Sequence, residues 1–148
     1  GTVQIDQATQ TFTFPLASPP VDLVLDPGRH DLLLCPNLYG DILSDLAAGL
    51  IGGLGLTPGA NIGTDTAVFE AVHGSAPDIA GKGIANPTAL IRASVMMLNH
   101  LNQTGAAERI NCGLNRALEI GKILTPDLGG KATTRQFTQA VIQAINNY

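Results

Sequence analysis

The stretch "NLYGDILSDLAAGLIGGLGLTPGANIG", residues 37–63, decides the fold and raises the first chemical question. Asp41 and Asp45 lie four residues apart in an otherwise apolar, glycine-rich pattern. On a helix they would share one face, with Cβ atoms about 5–6 Å apart, and their charges would repel. Two explanations are open. Acidic side chains are stabilised in the first turn of a helix, and paired carboxylates suit a hard divalent cation such as Mg²⁺ or Mn²⁺.

The composition is that of a small globular domain. The chain has 148 residues, of which 45% are apolar, enough for one domain with a buried core but not for two full domains. Its net charge is −4 and its eight Lys and Arg residues are scattered singly, so no nucleic-acid partner is predicted. The most apolar run, from Leu46 to Leu56, is shorter than the roughly 20 residues that a bilayer requires, so no membrane partner is predicted either. Cys35 and Cys112 are too few for a disulfide scaffold, which favours a cytoplasmic location.

The first twenty residues differ from the rest of the chain. Apolar residues alternate with polar ones over residues 2–16, which predicts two short strands and a hairpin turn near residues 6–9. Pro19 and Pro20 then interrupt the pattern. We therefore predict a β-hairpin-like segment at residues 1–20 and one domain at residues 21–148.

Strands and loops surround the helix that carries Asp41. A turn at Pro27-Gly28 precedes "DLLLC", residues 31–35, whose unbroken apolar run predicts a strand buried on both faces. Residues 52–63 are predicted to form a loop, and "AVFEAVHG", residues 67–74, a second strand. The fold class that follows is α/β, with helices packed on a small mixed or parallel sheet.

Three further helices are predicted towards the end of the sequence. The first has Asn86 as N-cap and Pro87 at its first position, the second spans about residues 105–122, and the third starts at a capping box formed by Thr133 and Gln136. Their predicted buried side chains are Leu90, Ser94, Val95, Leu98 and Leu101, then Ile110, Leu114, Ala117 and Leu118, then Phe137, Val141, Ala144 and Ile145.

The loop "HGSAPDIAGKGIANP", residues 73–87, has glycines and a lysine but not the spacing of a phosphate-binding P-loop, since Gly83 follows Lys82 where a Ser or Thr is required. It does contain the three groups that could hold a nucleotide: a planar ring in His73, a carboxylate in Asp78 and an amide in Asn86. The plainer alternatives also stay open. His73 could be a histidine at a strand end, and Asn86 only a helix cap.

Three stretches together, "NLYGDILSDLAAGLIGGLGLTPGANIG", "AVFEAVHGSAPDIAGKGIANPTA" and "TPDLGGKATT", strongly resemble the C-terminal part of the β-decarboxylating dehydrogenases. This is the family of the isocitrate, homoisocitrate and isopropylmalate dehydrogenases. "GGLGLTPGANIG" with "FEAVHG" looks more like the isocitrate branch. The resemblance covers about residues 21–148 and implies part of the isopropylmalate-dehydrogenase-like fold.

The resemblance also implies site residues. Asp41 and Asp45 fall on two metal-binding aspartates, where Mg²⁺ or Mn²⁺ would hold the substrate and stabilise the enolate formed on decarboxylation. An Asp78 carboxylate would accept hydrogen bonds from the ribose diol of NAD and repel the 2′-phosphate of NADP. Residues 125–130 contain no Arg or Tyr that could bind that phosphate, so NAD is the predicted cofactor. The residues that match the family's dinucleotide loop are Glu70, His73, Gly74, Ser75, Ala76, Asp78, Ile79 and Asn86.

The chain also departs from the family. The N-terminal half that contributes a Ser, Asn and Arg substrate clamp and a catalytic Tyr has no counterpart, and Lys82, Lys122 and Lys131 lie in no motif that matches the catalytic Lys. Ala17 stands where a third metal-binding aspartate is expected. No catalytic residue is therefore assigned. We expect the C-terminal half of an NAD-dependent, Mg²⁺- or Mn²⁺-dependent isocitrate dehydrogenase, incomplete on its own, which forms a homodimer or pairs with a complementary N-terminal half. The alternatives are a non-catalytic nucleotide-binding or regulatory paralogue and a structural, oligomerising relic.

Overall fold

The computed structural model describes residues 2–5, 10–13 and 36–147. The chain divides into two compact units, Gly1–Leu46 and Ala47–Tyr148. The predicted turns near residues 6–9 and at Pro27-Gly28, the predicted boundary near Pro19 and the predicted strand at residues 31–35 lie outside the described residues. None of the helices described is long and apolar enough to cross a membrane.

In the first unit, β1 (Thr2–Ile5) pairs with β2 (Gln10–Thr13) in an antiparallel ladder that sets Val3 opposite Phe12. The prediction of two short paired strands is thus confirmed. The helix α1 (Asn37–Leu50) is also confirmed, and the division between the two units falls within it.

In the second unit, helices pack on a small sheet, as predicted, but the sheet is antiparallel rather than mixed or parallel. It consists of β3 (Pro58–Ile62) and β4 (Ala67–Ala71). Only residues 63–66 connect these strands, and the N–H of Gly63 donates to the carbonyl of Thr66 across 2.9 Å. A parallel connection needs a dozen or more residues, so a turn this short requires antiparallel pairing.

The prediction of a loop over residues 52–63 is wrong in its second half, because β3 occupies residues 58–62. Glycine and asparagine are poor strand formers, and so the local sequence favours a loop. Pairing with β4 outweighs that preference. A 3₁₀ turn, Leu54–Leu56, precedes the strand.

Three helices complete the second unit: α2 (Thr88–His100), α3 (Thr104–Ile120) and α4 (Thr134–Asn146). The predicted bounds agree with these to within two residues. α2 packs against β3, β4 and α3, and α3 packs against α4. The predicted capping box of α4 is present, because the Thr133 hydroxyl accepts from the N–H of Gln136 and the Gln136 side chain accepts from the N–H of Thr133.

The core lies between α3 and α4. Leu114 and Ala117 of α3 pack with Phe137 and Val141 of α4, and all four side chains are buried as predicted. Gly113 allows α4 to approach α3 closely, because a Cβ at this position would lie 2.9 Å from the backbone nitrogen of Ile145.

The predicted buried face of α2 needs correction. Leu90 and Leu101 are 58% and 55% exposed, whereas Ala89 and Ala93 are almost fully buried. α2 is enclosed by the sheet, the 3₁₀ turn at Leu54–Leu56 and α3. Small side chains therefore occupy the tightly packed face and the larger leucines lie outside it.

Candidate functional site

Asp41 and Asp45 lie on α1 and both are exposed. The helix begins at Asn37, so Asp41 comes after the first turn, which contains no acidic residue. The explanation by the positive end of the helix is therefore wrong for this pair. The Ser44 hydroxyl donates to the backbone carbonyl of Asp41, not to its carboxylate, across 2.9 Å.

The two aspartates supply only part of a metal-ligand set. Oxygen ligands at an exposed helix surface are the chemistry that Mg²⁺ and Mn²⁺ prefer, and such ions keep several water ligands. Within residues 36–147 no group of three or more His, Cys, Asp and Glu side chains is gathered at one point. A divalent cation at this pair would therefore need further oxygen ligands from water, substrate or another chain.

A second candidate site is a cavity of about 760 Å³ in the second unit. Its volume lies within the range of small-molecule sites, about 300–1,000 Å³. Glycine and alanine predominate in its walls, and among its lining residues, all of which lie in the described part of the chain, Asp127 is the one acidic side chain. The lining residues are Gly55, His73, Gly74, Ser75, Ala76, Ile79, Ala80, Gly81, Gly83, Ala85, Asn86 and Asp127.

The front wall is the exposed loop that follows β4. Ala76 adopts a left-handed backbone conformation, with φ 42° and ψ 63°, which costs a non-glycine residue about 1 kcal/mol or more. Its carbonyl accepts from the N–H of Ile79 across 3.1 Å and closes a 3₁₀ turn, Pro77–Ile79. Gly81 and Gly83 also have positive φ, 75° and 64°, a conformation that glycine adopts without a Cβ clash. Ala76, Ile79, Gly81 and Gly83 all line the cavity.

Residues 83–86 form the rear wall of the cavity, and hydrogen bonds from two other parts of the chain hold them in place. The side-chain amide of Asn86 donates to Oδ2 of Asp127 across 2.8 Å, and the Asn86 side-chain oxygen accepts from the N–H of Thr88 across 3.0 Å. Thr134, at the start of α4, donates its N–H to the carbonyl of Gly83 across 2.8 Å and its hydroxyl to the carbonyl of Ala85. Residues 83–86 are thereby fixed to two later segments of the chain.

Gly55 contributes to the cavity from the 3₁₀ turn at Leu54–Leu56. The guanidinium of Arg92 donates to the carbonyl of Leu56 across 3.2 Å and ties this turn to α2. A Cβ at Gly55 would lie 3.4 Å from Oδ2 of Asp127 and 3.8 Å from Cβ of Asn86. The absence of a side chain therefore leaves room for a ligand beside the Asn86 and Asp127 pair.

Most of the predicted dinucleotide residues line this cavity: His73, Gly74, Ser75, Ala76, Ile79 and Asn86. The ring nitrogen Nδ1 of His73 lies 3.0 Å from the carbonyl of Gly74, where an N–H on Nδ1 would donate, and the ring is exposed at the cavity wall. Asp78 is exposed in the front loop between two lining residues but does not itself line the cavity.

Glu70 lies on β4 and does not line the cavity. Its carboxylate accepts from the side-chain amide of Asn61, on the neighbouring strand β3, across 3.0 Å.

The Asn86 side chain makes more hydrogen bonds within the protein than expected. The predicted N-cap at Asn86 is wrong by one residue, because α2 starts at Thr88 and its N-cap is Pro87. The Asn86 side chain still accepts from the N–H of Thr88 and donates to Asp127, so its donor and its acceptor are both used within the protein.

Sequence reasoning missed Gly55 and Asp127. Asp127 lies 41 residues beyond Asn86, in a 3₁₀ turn, Pro126–Leu128. The motif "TPDLGGKATT" carries part of the resemblance, and its only acidic residue is Asp127. The Asp127 carboxylate was the one feature of this motif that could have suggested a site residue, but no local sequence pattern links it to the loop at residues 73–87.

Comparison with known proteins gives a consistent picture. A family profile described as isocitrate/isopropylmalate dehydrogenase matches residues 18–145. An isocitrate/homoisocitrate dehydrogenase of Thermus thermophilus is 59% identical over 127 residues, which are 86% of this chain and 38% of that protein. A mitochondrial regulatory subunit of NAD isocitrate dehydrogenase from Dictyostelium discoideum is 55% identical over 126 residues, 84% of this chain and 36% of that protein.

The solved structures agree. The crystal structure of isocitrate dehydrogenase from Methylococcus capsulatus superposes with a TM-score of 0.71 at 60% sequence identity and covers 74% of this chain and 33% of that one. The chain thus spans somewhat more than a third of the length of the two curated relatives. The residues matched by the family profile include both the α1 segment and the loop that forms the cavity.

Proposed function

Because this chain belongs to the isocitrate/isopropylmalate dehydrogenase family, we propose that its cavity binds the adenosine part of NAD. The observation that carries the proposal is the gathering of His73, Gly74, Ser75, Ala76, Ile79 and Asn86 around one cavity of about 760 Å³. The sequence motif alone assigns these residues to a dinucleotide, so the cavity is a second and independent line of support.

The geometry suggests how the nucleotide is held. The exposed ring of His73 offers a face on which the adenine base stacks, and the small side chains of the walls leave a slot for a planar group. Asp78 projects from the front loop beside Ala76 and Ile79, where its carboxylate accepts hydrogen bonds from the ribose diol. A 2′-phosphate at the same place would be repelled, so NAD is bound in preference to NADP.

The metal and the reaction belong to the same proposal. Asp41 and Asp45 would hold Mg²⁺ or Mn²⁺ through two oxygen ligands, and the ion would supply the positive charge that assists oxidative decarboxylation of a 2-hydroxy acid such as isocitrate. The groups that hold the substrate come from a complementary N-terminal half, since this chain spans 38% and 36% of its curated relatives. A Mn²⁺ titration in which Asp41→Asn weakens binding, and Asp65→Asn does not, would support the assignment; equal binding by both variants would refute it.

A second function is favoured by one observation. A relative that is 55% identical is named as regulatory. If this chain is regulatory as well, it binds a nucleotide without carrying out catalysis, and it alters the activity of a partner protein. Addition of this chain to a catalytic partner would then change the partner's KM for substrate.

Self-association is also proposed. Leu38, Ile42, Leu46 and Leu50 recur every four residues along α1, and each is at least 45% exposed. An apolar stripe of this kind is typical of a surface that another chain covers. We place the homodimer interface on this stripe and the protein in the cytoplasm, where Cys112 would remain a free thiol.

Calorimetric titration of the purified chain with NAD and with NADP tests the cofactor assignment. The expected result is binding of NAD that is about tenfold or more tighter than that of NADP, because a 2′-phosphate would face the Asp78 carboxylate. Asp78→Ala should weaken NAD binding and bring the two affinities together. Asp65→Ala, at an exposed carboxylate in the turn between β3 and β4, is the control and should bind as the wild type does. No binding at millimolar NAD, or an unchanged preference in Asp78→Ala, would contradict the assignment.

A further inference from the structure

Two small cavities adjoin each other near the C-terminal end of α3. The first, of about 250 Å³, lies between α3 and α4. The second, of about 270 Å³, lies between residues 122–124 and the beginning of α4. Lys122 and Ile123 line both cavities, and neither cavity shares a lining residue with the one assigned to NAD. They form a separate place at which a ligand could bind.

Positive charge is concentrated around these two cavities. Arg116 lines the first cavity, Lys131 the second and Lys122 both, so three of the eight Lys and Arg residues of the chain meet here. No Asp or Glu is among the lining residues, all of which belong to the described part of the chain. Glu119, three residues after Arg116, is exposed and lines neither cavity. A chain with a net charge of −4 thus has a local surface of the opposite sign.

Stabilisation of helix ends does not explain these cations. Basic side chains are favourable in the last turn of a helix, where they offset its negative end. The last turn of α3 contains no basic residue, and Arg116 precedes that turn. Lys131 lies two residues before Thr133, the N-cap of α4, and a positive charge near the positive end of a helix is unfavourable. The position of Lys131 therefore points to a negatively charged partner.

Gln136 adds a neutral donor to the second cavity. Its side-chain oxygen accepts from the N–H and from the hydroxyl of Thr133, across 2.8 and 3.1 Å. The NH₂ group of Gln136 is thus the part of this side chain that can serve a ligand. Guanidinium and ammonium groups are also donors and not acceptors. A ligand that satisfies these groups must be rich in acceptor atoms and negatively charged.

We propose that the two adjoining cavities form a binding site for a small, multiply charged phosphate anion such as pyrophosphate. Phosphate oxygens accept hydrogen bonds from Arg in a forked arrangement and from Lys as a compact point charge. A diphosphate carries several negative charges in one small molecule, so it can face Lys122 together with a second cation. A monovalent anion can neutralise only one of them. Because the cations are exposed, the attraction should weaken as salt is added.

Calorimetric titration of the purified chain with sodium pyrophosphate at low ionic strength tests the inference. The wild type should show one saturable site, and Lys122→Gln, which removes the charge common to both cavities, should weaken binding about tenfold or more. Arg109→Gln is the matched control, because Arg109 is exposed on α3 and lines neither cavity. It should bind within about twofold of the wild type. Both positions are exposed, so both variants should fold, which circular dichroism checks.

The location of the anion is tested by an NMR titration with pyrophosphate. The backbone amides of Ile123 and Ala132 should shift, whereas those of Gly74 and Gly81 in the cavity assigned to NAD should not. Shifts at Gly74 and Gly81 alone would overturn the inference, since pyrophosphate is also a part of NAD, and would leave the proposed function intact. Equal loss of affinity in Lys122→Gln and Arg109→Gln, or no saturable binding at millimolar pyrophosphate, would overturn it as well.

Discussion

The side-chain amide of Asn86 donates a 2.8 Å hydrogen bond to Oδ2 of Asp127, a residue 41 positions later in the chain. The same Asn86 side chain accepts from the N–H of Thr88 at the start of α2. One buried asparagine thus joins the loop after β4, the beginning of α2 and the "TPDLGG" turn. This link, together with the bonds from Thr134 to the carbonyls of Gly83 and Ala85, holds the rear wall of the cavity.

Replacement of Asn86 by alanine should lower the free energy of unfolding by about 1–3 kcal/mol, because it removes the acceptor for the N–H of Thr88 and leaves Asp127 without its donor. Urea denaturation followed by circular dichroism measures this change. Asn115→Ala, at an exposed position on α3, is the matched control and should change stability by no more than about 0.5 kcal/mol. Equal urea midpoints for the two variants would show that the hydrogen bonds of Asn86 do not contribute to the free energy of unfolding.

Two glycines of α3 should respond to alanine in opposite directions. At Gly113 a Cβ would lie 2.9 Å from the nitrogen and 3.1 Å from the Cα of Ile145, so α3 and α4 would have to separate. We expect Gly113→Ala to destabilise the chain by about 1–3 kcal/mol, the usual cost of overpacking.

At Gly105 no atom lies within 4 Å of the added Cβ. Gly105→Ala should therefore be neutral or stabilising by up to about 1 kcal/mol, since alanine is the better helix former. Thermal unfolding of the two variants side by side checks both predictions. A Gly113→Ala chain that melts at or above the Gly105→Ala chain would contradict the close contact of α3 with α4.

The capping box of α4 gives a third prediction. Thr133→Ala removes the hydroxyl that accepts from the N–H of Gln136 and should cost about 1 kcal/mol, whereas Thr133→Ser should retain most of the stability. Because Thr134 of the same turn donates to the carbonyls of Gly83 and Ala85, loss of the cap should also loosen the rear wall of the cavity. Amide hydrogen exchange at Thr134, whose N–H donates to the carbonyl of Gly83, would detect this; unchanged protection in Thr133→Ala would argue against the coupling.

The parts of the structure that could be predicted from sequence are those with a local signal. Phe137 and Val141 recur at a helical spacing and are buried, and the capping box is visible as Thr133 followed by Gln136. The long-range features were not predictable in this way. The link from Asn86 to Asp127 joins residues with no common periodicity, and the strand over residues 58–62 forms in a glycine-containing segment only because β4 pairs with it.

Burial on α2 was mispredicted for a related reason. Hydrophobicity alone assigns leucines to the inside, but Ala89 and Ala93 occupy the tight contact while Leu90 and Leu101 are exposed. Which apolar residues a helix buries depends on how closely its neighbours approach, and that distance is set by tertiary packing. Most of the residues assigned to the candidate site line one cavity, because their loop motif is continuous in sequence.

The exposed stripe of α1 predicts self-association that a single charge should weaken. Ile42 is 48% exposed on this stripe, so Ile42→Lys should shift a dimer towards monomer in light scattering at micromolar concentration. Leu90→Lys, which places the same charge at a 58% exposed leucine of α2, should leave the dimer intact. A wild-type chain that is monomeric throughout this range would contradict the assigned interface.

Nucleotide binding in the cavity between the front loop and Asp127 can be located residue by residue in an NMR titration with NAD. We expect saturable shifts of the backbone amides of Gly74, Gly81 and Gly83, which line the cavity, while amides on the far helices, such as that of Gly105, stay in place. Absence of shifts at millimolar NAD, or shifts confined to residues outside the cavity, would contradict nucleotide binding at this site.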